Sequence, residues 1–281
     1  MKKENKTIDV DKAWTRLHSR LEDENLLPAV SRRTVALKKY IAIAAMLTGI
    51  FLGGGIFFYL SDKPKDSGIC TLHNTENGFT LVTTLPDGST IYLPQGSKFS
   101  YPRHFAKDIR KVVLNGEAMF EVHGNKQWPF VIETGDITVK VTGTVFNIKS
   151  APTGDKFELQ VQEGTVEVTN QANLRKIAVG AGESVRLQGA DWLKKETPGV
   201  NLHNLYSNRI KFKDEALSDI IPVLNRNGNM PIVLRDPEIG NRRLTVTFSN
   251  NSSQSMAELI CAALNLQQTV NQNTIYISKP R

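Results

Sequence analysis

Two carboxylates four residues apart, Glu117 and Glu121, stand in VVLNGEAMFEV (112–122). On one strand face such a pair could imitate the acid and nucleophile of a glycosidase. Beside Gly116 and Val122, however, they read as solvated sheet positions. The five histidines, His18, His73, His104, His123 and His203, are scattered along the chain, and neither H-E-x-x-H nor G-x-S-x-G occurs. The two cysteines, Cys70 and Cys261, are too few for a disulfide framework. Cys261 falls on the apolar side of an expected helix and reads as a small buried hydrophobe, and the pairing of the two thiols stays open. These residues do not converge on catalytic or metal-binding chemistry, so the expectation is a chain that is not an enzyme and carries neither cofactor nor metal.

The elements that would position any functional group are divided by an uncharged run, YIAIAAMLTGIFLGGGIFFYL (40–60). As a helix it reaches roughly 31 Å, enough to cross a hydrocarbon core of about 30 Å. Arg32, Arg33, Lys38 and Lys39 crowd its N-terminal flank, whereas Asp62, Lys63, Lys65 and Asp66 nearly cancel on the other side. That asymmetry predicts a single pass with a cytoplasmic N-terminus and exported C-terminal domains, and Tyr40 and Tyr59 suit the two interfaces. The formal charge of +7 divides into ten basic against six acidic residues before the run and 25 against 22 after it. The high pI is therefore a topological charge bias together with a mildly basic exported surface, not a nucleic-acid signal.

Before the span, DVDKAWTRLHSRLEDE (9–24) places Val10, Ala13, Trp14, Leu17 and Leu21 on one face of an amphipathic helix. Residues 1–39 hold too few apolar side chains for a core of their own, so this stripe needs a partner. With three basic and five acidic side chains in 9–24, attraction to anionic lipid is weak. A cytoplasmic protein anchored by Trp14 is the better partner.

Beyond a juxtamembrane linker (61–77), residues 78–189 alternate apolar and polar side chains in short runs such as ITVKV (137–141), FELQV (157–161) and TVEV (165–168). Turn signals recur at Asp87-Gly88, Asn115-Gly116, Gly135-Asp136 and Glu163-Gly164. An all-β antiparallel sandwich or roll is predicted. After a second linker (190–207), on which the exported domains could hinge, residues 208–281 change period. They predict a small α+β domain ordered β-α-β-β-α-β-β, with Leu217, Ile220, Ile221 and Leu224 lining one helix, which Pro222 kinks. A second helix follows with a capping box from Ser255 to Glu258, and a hairpin turns at Asn271-Gln272-Asn273.

The ordered segments LPDGSTIYLPQGSKFSYPRHF (85–105), VVLNGEAMFEV (112–122), PFVIET (129–134), VKVTGTVFNI (139–148), LQVQEGTVEV (159–168) and VGAGESVRL (179–187) resemble the periplasmic domain of FecR-type anti-sigma regulators. Residues 208–281 look like the C-terminal domain found in Bacteroidetes-type members, itself similar to the secretin and TonB short N-terminal fold, with Tyr206 where a Trp is usual. The resemblance implies a bacterial inner-membrane regulator. It would bind an extracytoplasmic-function sigma factor through Val10, Ala13, Trp14, Leu17 and Leu21, and relay a signal from the signalling domain of a TonB-dependent outer-membrane receptor to control nutrient-import genes. It also implies possible partners among envelope and intramembrane proteases. Gly53, Gly54 and Gly55 would ease local unwinding of the span for such a protease, each costing about 1 kcal/mol of helix propensity. Gly49 and Gly53 alternatively form a lone GxxxG. Some members cleave themselves at a Gly-Thr step, which here is Gly143-Thr144; the alternative is that Gly143 serves a bulge or tight strand crossing and Thr144 pairs in the sheet. The alternative to receptor relay is a membrane-anchored periplasmic sensor that binds a glycan or ion directly.

Overall fold

The computed structural model describes residues 10–23, 68–151 and 156–280, and the chain divides into two compact units, Met1–Lys65 and Asp66–Arg281. In the first unit, α1 (Val10–Asp23) follows the predicted apolar spacing. Asp11 occupies its first turn and Arg20 its last, each complementing the helix dipole. The run 40–60, with Gly53, Gly54 and Gly55, lies outside the described residues. Among the described residues no helix is long and apolar enough to cross a membrane.

The second unit is mostly β-sheet. Its strands begin with β1 (Ile69–His73), β2 (Thr80–Thr84), β3 (Thr90–Leu93) and β4 (Lys98–Pro102). There follow β5 (Arg110–Glu121), β6 (Phe130–Thr134), β7 (Ile137–Val141), β8 (Val145–Ser150) and β9 (Phe157–Glu163). The series ends with β10 (Thr165–Asn170), β11 (Lys176–Gly180), β12 (Glu183–Gln188) and β13 (Asp191–Glu196). One sheet runs β1-β4-β5-β6-β7-β10-β11, and its face buries Phe99, Leu114, Ile132, Val139 and Val168 against the other sheet. Alternation explains these strands directly: in β7, Ile137, Val139 and Val141 are buried while Lys140 is exposed.

β5 belongs to both sheets. Its first half pairs with β4 and β6, and its second half, from Gly116 to Glu121, pairs with β8 and, near its end, with β3. The change of sheet falls at Gly116, where φ is +105° and an added Cβ would come within 3.0 Å of the Ser97 backbone. Only glycine lets the strand bend there without a clash.

After the short helix α2 (Leu202–Tyr206), the C-terminal lobe comprises β14 (Arg209–Ala216), α3 (Leu217–Asn227), β15 (Ile232–Leu234), a 3-10 turn (Pro237–Asn241), β16 (Arg243–Ser249), α4 (Ser253–Leu264), β17 (Gln267–Asn271) and β18 (Thr274–Ser278). This is the predicted element order. α3 buries Leu217, Ile220, Ile221 and Leu224 and carries Pro222 on its exposed side. α4 is capped by Ser252, whose Oγ accepts from the Ser255 N–H, and not by the expected Ser255–Glu258 box; Glu258 instead accepts from Gln254. The 267–278 hairpin turns through Gln272 and Asn273, both at positive φ, a primed turn matched to strand twist.

Three boundary expectations need correction. The stretch expected as linker 61–77 contains β1, which pairs antiparallel with β4. The stretch 190–207 contains β13, an edge strand paired with β12, and α2, which buries Leu202 and Tyr206. The two lobes also do not hinge. The second sheet runs β13-β12-β9-β8-β5-β3-β2-β14-β16, crossing from one lobe to the other through a parallel pairing of Ile210, Lys211 and Phe212 with Thr80, Leu81 and Val82. Val82, Tyr92, Met119 and Val145 of the first lobe share a core with Leu202, Ile210, Phe212 and Leu217 of the second. Rotating one lobe on the other would expose that core to water.

Candidate functional site

The turn between β7 and β8 carries Gly143 and Thr144. The Asn125 N–H donates to the Thr142 carbonyl at 2.6 Å and the Val122 N–H to the Thr144 carbonyl at 2.9 Å, clamping the step from both sides. Gly143 has φ of +155°, and a Cβ there would lie 2.7 Å from Gly124 Cα. From the other side Gly164 comes so close that its own Cβ would meet Thr144 Cγ2 at 2.6 Å and the Gly143 oxygen at 2.8 Å. Thr144 is 5% exposed, and its Oγ1 has no hydrogen-bond partner among the described residues. An orphaned buried hydroxyl costs about 1–3 kcal/mol. Thr144 follows directly on Gly143, whose carbonyl is the one that an N-to-O acyl shift would attack.

The same chain segment meets a feature that sequence reasoning missed. Arg110 is fully buried and pairs with Asp87 at 2.7 Å, the two side chains being 0% and 1% exposed. Its Nε donates to the Trp128 carbonyl and its Nη1 to the His123 carbonyl. The guanidinium lies 5.3 Å from the Trp128 ring and 5.4 Å from the Phe130 ring, and Nη2 has no acceptor among the described residues. Asp87 also accepts from the backbone N–H and hydroxyl of Ser89. In the sequence, Asp87 is only the first residue of a turn and Arg110 a charge before a strand; the partner lies 23 residues away.

Glu117 and Glu121 are held by separate partners and are half-buried, not fully solvated. Both face the C-terminal lobe: Glu117 accepts from the Tyr206 hydroxyl and meets Lys149 at 3.2 Å, while Glu121 accepts from Arg226. Arg226 also reaches the Tyr92 hydroxyl at 3.4 Å, and burial pushes the Tyr92 phenol up to about 12. Burial, reinforced by Glu117, likewise raises Tyr206. Thus the Tyr found in place of a usual Trp is a hydrogen-bond donor between the lobes. Nearby, Thr83 donates to Glu215 at 2.6 Å, and burial raises the Glu215 carboxyl. His203 Nδ1 is buried without a hydrogen-bond partner among the described residues, and burial lowers this imidazole despite the opposing pull of Glu121 and Glu163.

The remaining predicted residues are not gathered into a pocket. On α1, Val10, Trp14 and Leu17 are exposed at 72%, 66% and 49%, Ala13 is exposed, and Leu21 is half-buried. Both thiols are free, with Cys70 half-buried in β1 and Cys261 in the core side of α4. Among the described residues no group of three or more His, Cys, Asp or Glu could hold a metal ion.

Two family models match the chain in sequence order, one described as "FecR protein" over residues 71–167 and the other as "FecR, C-terminal" over residues 209–277. Two crystal structures of a protein from Parabacteroides distasonis ATCC 8503, assigned provisionally as an anti-sigma factor, are each 25% identical to it. They cover 76% of this chain and 100% and 99% of their own, with TM-scores of 0.46 and 0.44. No curated protein matches the chain.

Proposed function

This chain belongs to the FecR family, and from that premise we propose that it is a single-pass anti-sigma regulator of the bacterial inner membrane. Its N-terminal segment holds an extracytoplasmic-function sigma factor in the cytoplasm. The run 40–60 crosses the membrane, and the β-rich unit stands in the periplasm, where it receives a signal from a TonB-dependent receptor. The observation that carries the sigma-binding part is α1, a helix of 14 residues whose Val10, Trp14 and Leu17 are exposed along one stripe. A helix this short gains little from propensity alone and is stabilised by laying its apolar face in a partner's groove.

A single span is a poor lever, because it has no packed neighbour against which two discrete arrangements are defined. Release by proteolysis is the more natural relay, with Gly53, Gly54 and Gly55 as the place where the span unwinds. The orphaned Thr144 hydroxyl supports an earlier break: Oγ1 attacks the Gly143 carbonyl, the Gly143–Thr144 amide opens to an ester and a free amine, and water hydrolyses the ester. The two fragments would then remain associated through the pairing of β5 with β8, β7 with β10 and β2 with β14.

In a pull-down against the sigma factors of the source organism, the full chain should capture one of them, and Trp14→Ala with Leu17→Ala should abolish capture. Undiminished capture by the double variant would overturn the assignment of α1.

A further inference from the structure

In the C-terminal lobe, a cavity of about 320 Å³ opens between the end of α2, the start of β14, the last turn of α3 and the loop after β16. Its rim carries Asn204, Asn208, Asn227, Asn250 and Asn251, together with Ser207. Its floor includes Ile210, Leu224, Phe248 and Met256, each less than a tenth exposed. None of its lining side chains is charged, in a protein where 22% of residues are. Five primary amides around an apolar floor are therefore a departure from the rest of this surface.

The rim is held in place by the fold. The Asn250 N–H donates to the Asn208 carbonyl at 2.8 Å, joining the strand ends on either side of the opening. Asn227 donates to Ser207, and Asn251 accepts from the Ser249 N–H, so each of these two keeps one side of its amide free. The side chains of Asn204, Asn208 and Asn250 make no hydrogen bond among the described residues. Asn250 sits at φ +50°, a left-handed conformation that Asn tolerates better than most residues and that turns the chain at the rim.

A primary amide offers a donor pair and an acceptor on one small plane, which matches neighbouring hydroxyl groups that also donate and accept. An uncharged rim gives an ion no counter-charge, so a carboxylate or phosphate would lose hydration without compensation. The floor suits an apolar C–H face, and the volume lies at the low end of small-molecule pockets, roughly 300–1,000 Å³. A molecule with a hydroxylated edge, a C–H face and no charge is a neutral sugar. We propose that this cavity is a binding site for a neutral mono- or disaccharide unit.

The test is calorimetric titration of the full-length chain, prepared without glycosidic detergent, with maltose, cellobiose, lactose and diacetylchitobiose, and with digalacturonate as the charged counterpart. At least one neutral disaccharide should bind saturably. Asn204→Ala with Asn208→Ala should weaken it by about tenfold or more, as expected for two lost hydrogen bonds. The melting temperature should not change, because neither side chain has an internal partner. Three results would overturn the proposal: no saturable binding of any neutral sugar, equal affinity in the double variant, or digalacturonate binding as tightly as the best neutral sugar. The readout is independent of sigma-factor capture, so failure here leaves the regulatory reading standing.

Discussion

Arg110 and Thr144 are two buried polar residues that meet the same short segment, residues 122–125, and the fold treats them in opposite ways. Arg110 is answered by a carboxylate, two carbonyls and two aromatic faces. Thr144, whose carbonyl is bound by Val122, has a hydroxyl to which nothing is offered. A buried charge must be paired or the lobe would not fold, whereas a neutral hydroxyl can be left orphaned at a cost the lobe survives. His203 Nδ1 at the lobe junction belongs with Thr144 as a second orphan. Arg110, paired through Nε and Nη1 although its Nη2 has no acceptor among the described residues, therefore specifies structure, and the uncharged orphans are where chemistry or pH can act.

The largest expected effect breaks the satisfied side. Arg110→Ala leaves Asp87 buried and unpaired and should cost about 3–5 kcal/mol in denaturant unfolding. Pairing Arg110→Met with Asp87→Asn should cost less than the sum of the single changes, since no lone charge remains. A loss below 1 kcal/mol for Arg110→Ala, on the order of a surface pair, would erase the contrast.

The next effect is smaller and depends on pH. The folded-state pKa of His203 is depressed below its ordinary 6.5 by burial, so its contribution to stability is present above 6.5 and is lost as pH falls through the lowered value. The groups that set this are Glu121 and Glu163, which favour the charged ring, and Arg226, which opposes it, with the Tyr92 ring packed 6.1 Å away. Stability of the second unit should fall on acidification below pH 6.5, and His203→Gln should flatten that slope. An unchanged slope in the variant would place the acid sensitivity elsewhere.

The smallest effect on stability is expected at the other orphan. Thr144→Ala removes the orphaned hydroxyl, a gain of about 1–3 kcal/mol, and with it a buried methyl, a loss of about 1 kcal/mol, so the two partly offset and unfolding should shift little. Its chemical effect should be complete: on a denaturing gel the wild-type chain should separate into two fragments joined at residues 143–144, and the variant should run as one band. A single band for both would remove self-cleavage and leave the three close glycines as packing alone.

Much of the fold is local enough to be written in the sequence. Ile137–Val141 and Phe157–Glu163 alternate because one face of each is buried, and Asn271–Thr274 marks its own turn. What could not be read is what depends on distant partners. β1 and β13 have weak alternation because they are edge strands with largely solvated side chains. The parallel pairing of β2 with β14, the Asp87–Arg110 pair and the attachment of Glu117 and Glu121 to Tyr206 and Arg226 all join residues far apart in the chain. The Gly143–Thr144 step was located through its family resemblance; the local signal for its crowding is the recurrence of glycine at 124, 143 and 164.

The pairing of β2 with β14 also fixes an order of events as the chain is made. Thr83 and Glu215, which meet across it, are separated by 132 residues, so β2 is made long before its strand neighbour exists. Until then β2 presents an open edge, and Val82, Tyr92, Met119 and Val145 lack the side chains that later cover them. An unpaired strand edge beside an apolar face is a template for wrong partners. The C-terminal lobe is thus a built-in cover for the first, and any chain ending before Arg209 would carry its stickiest surface uncovered.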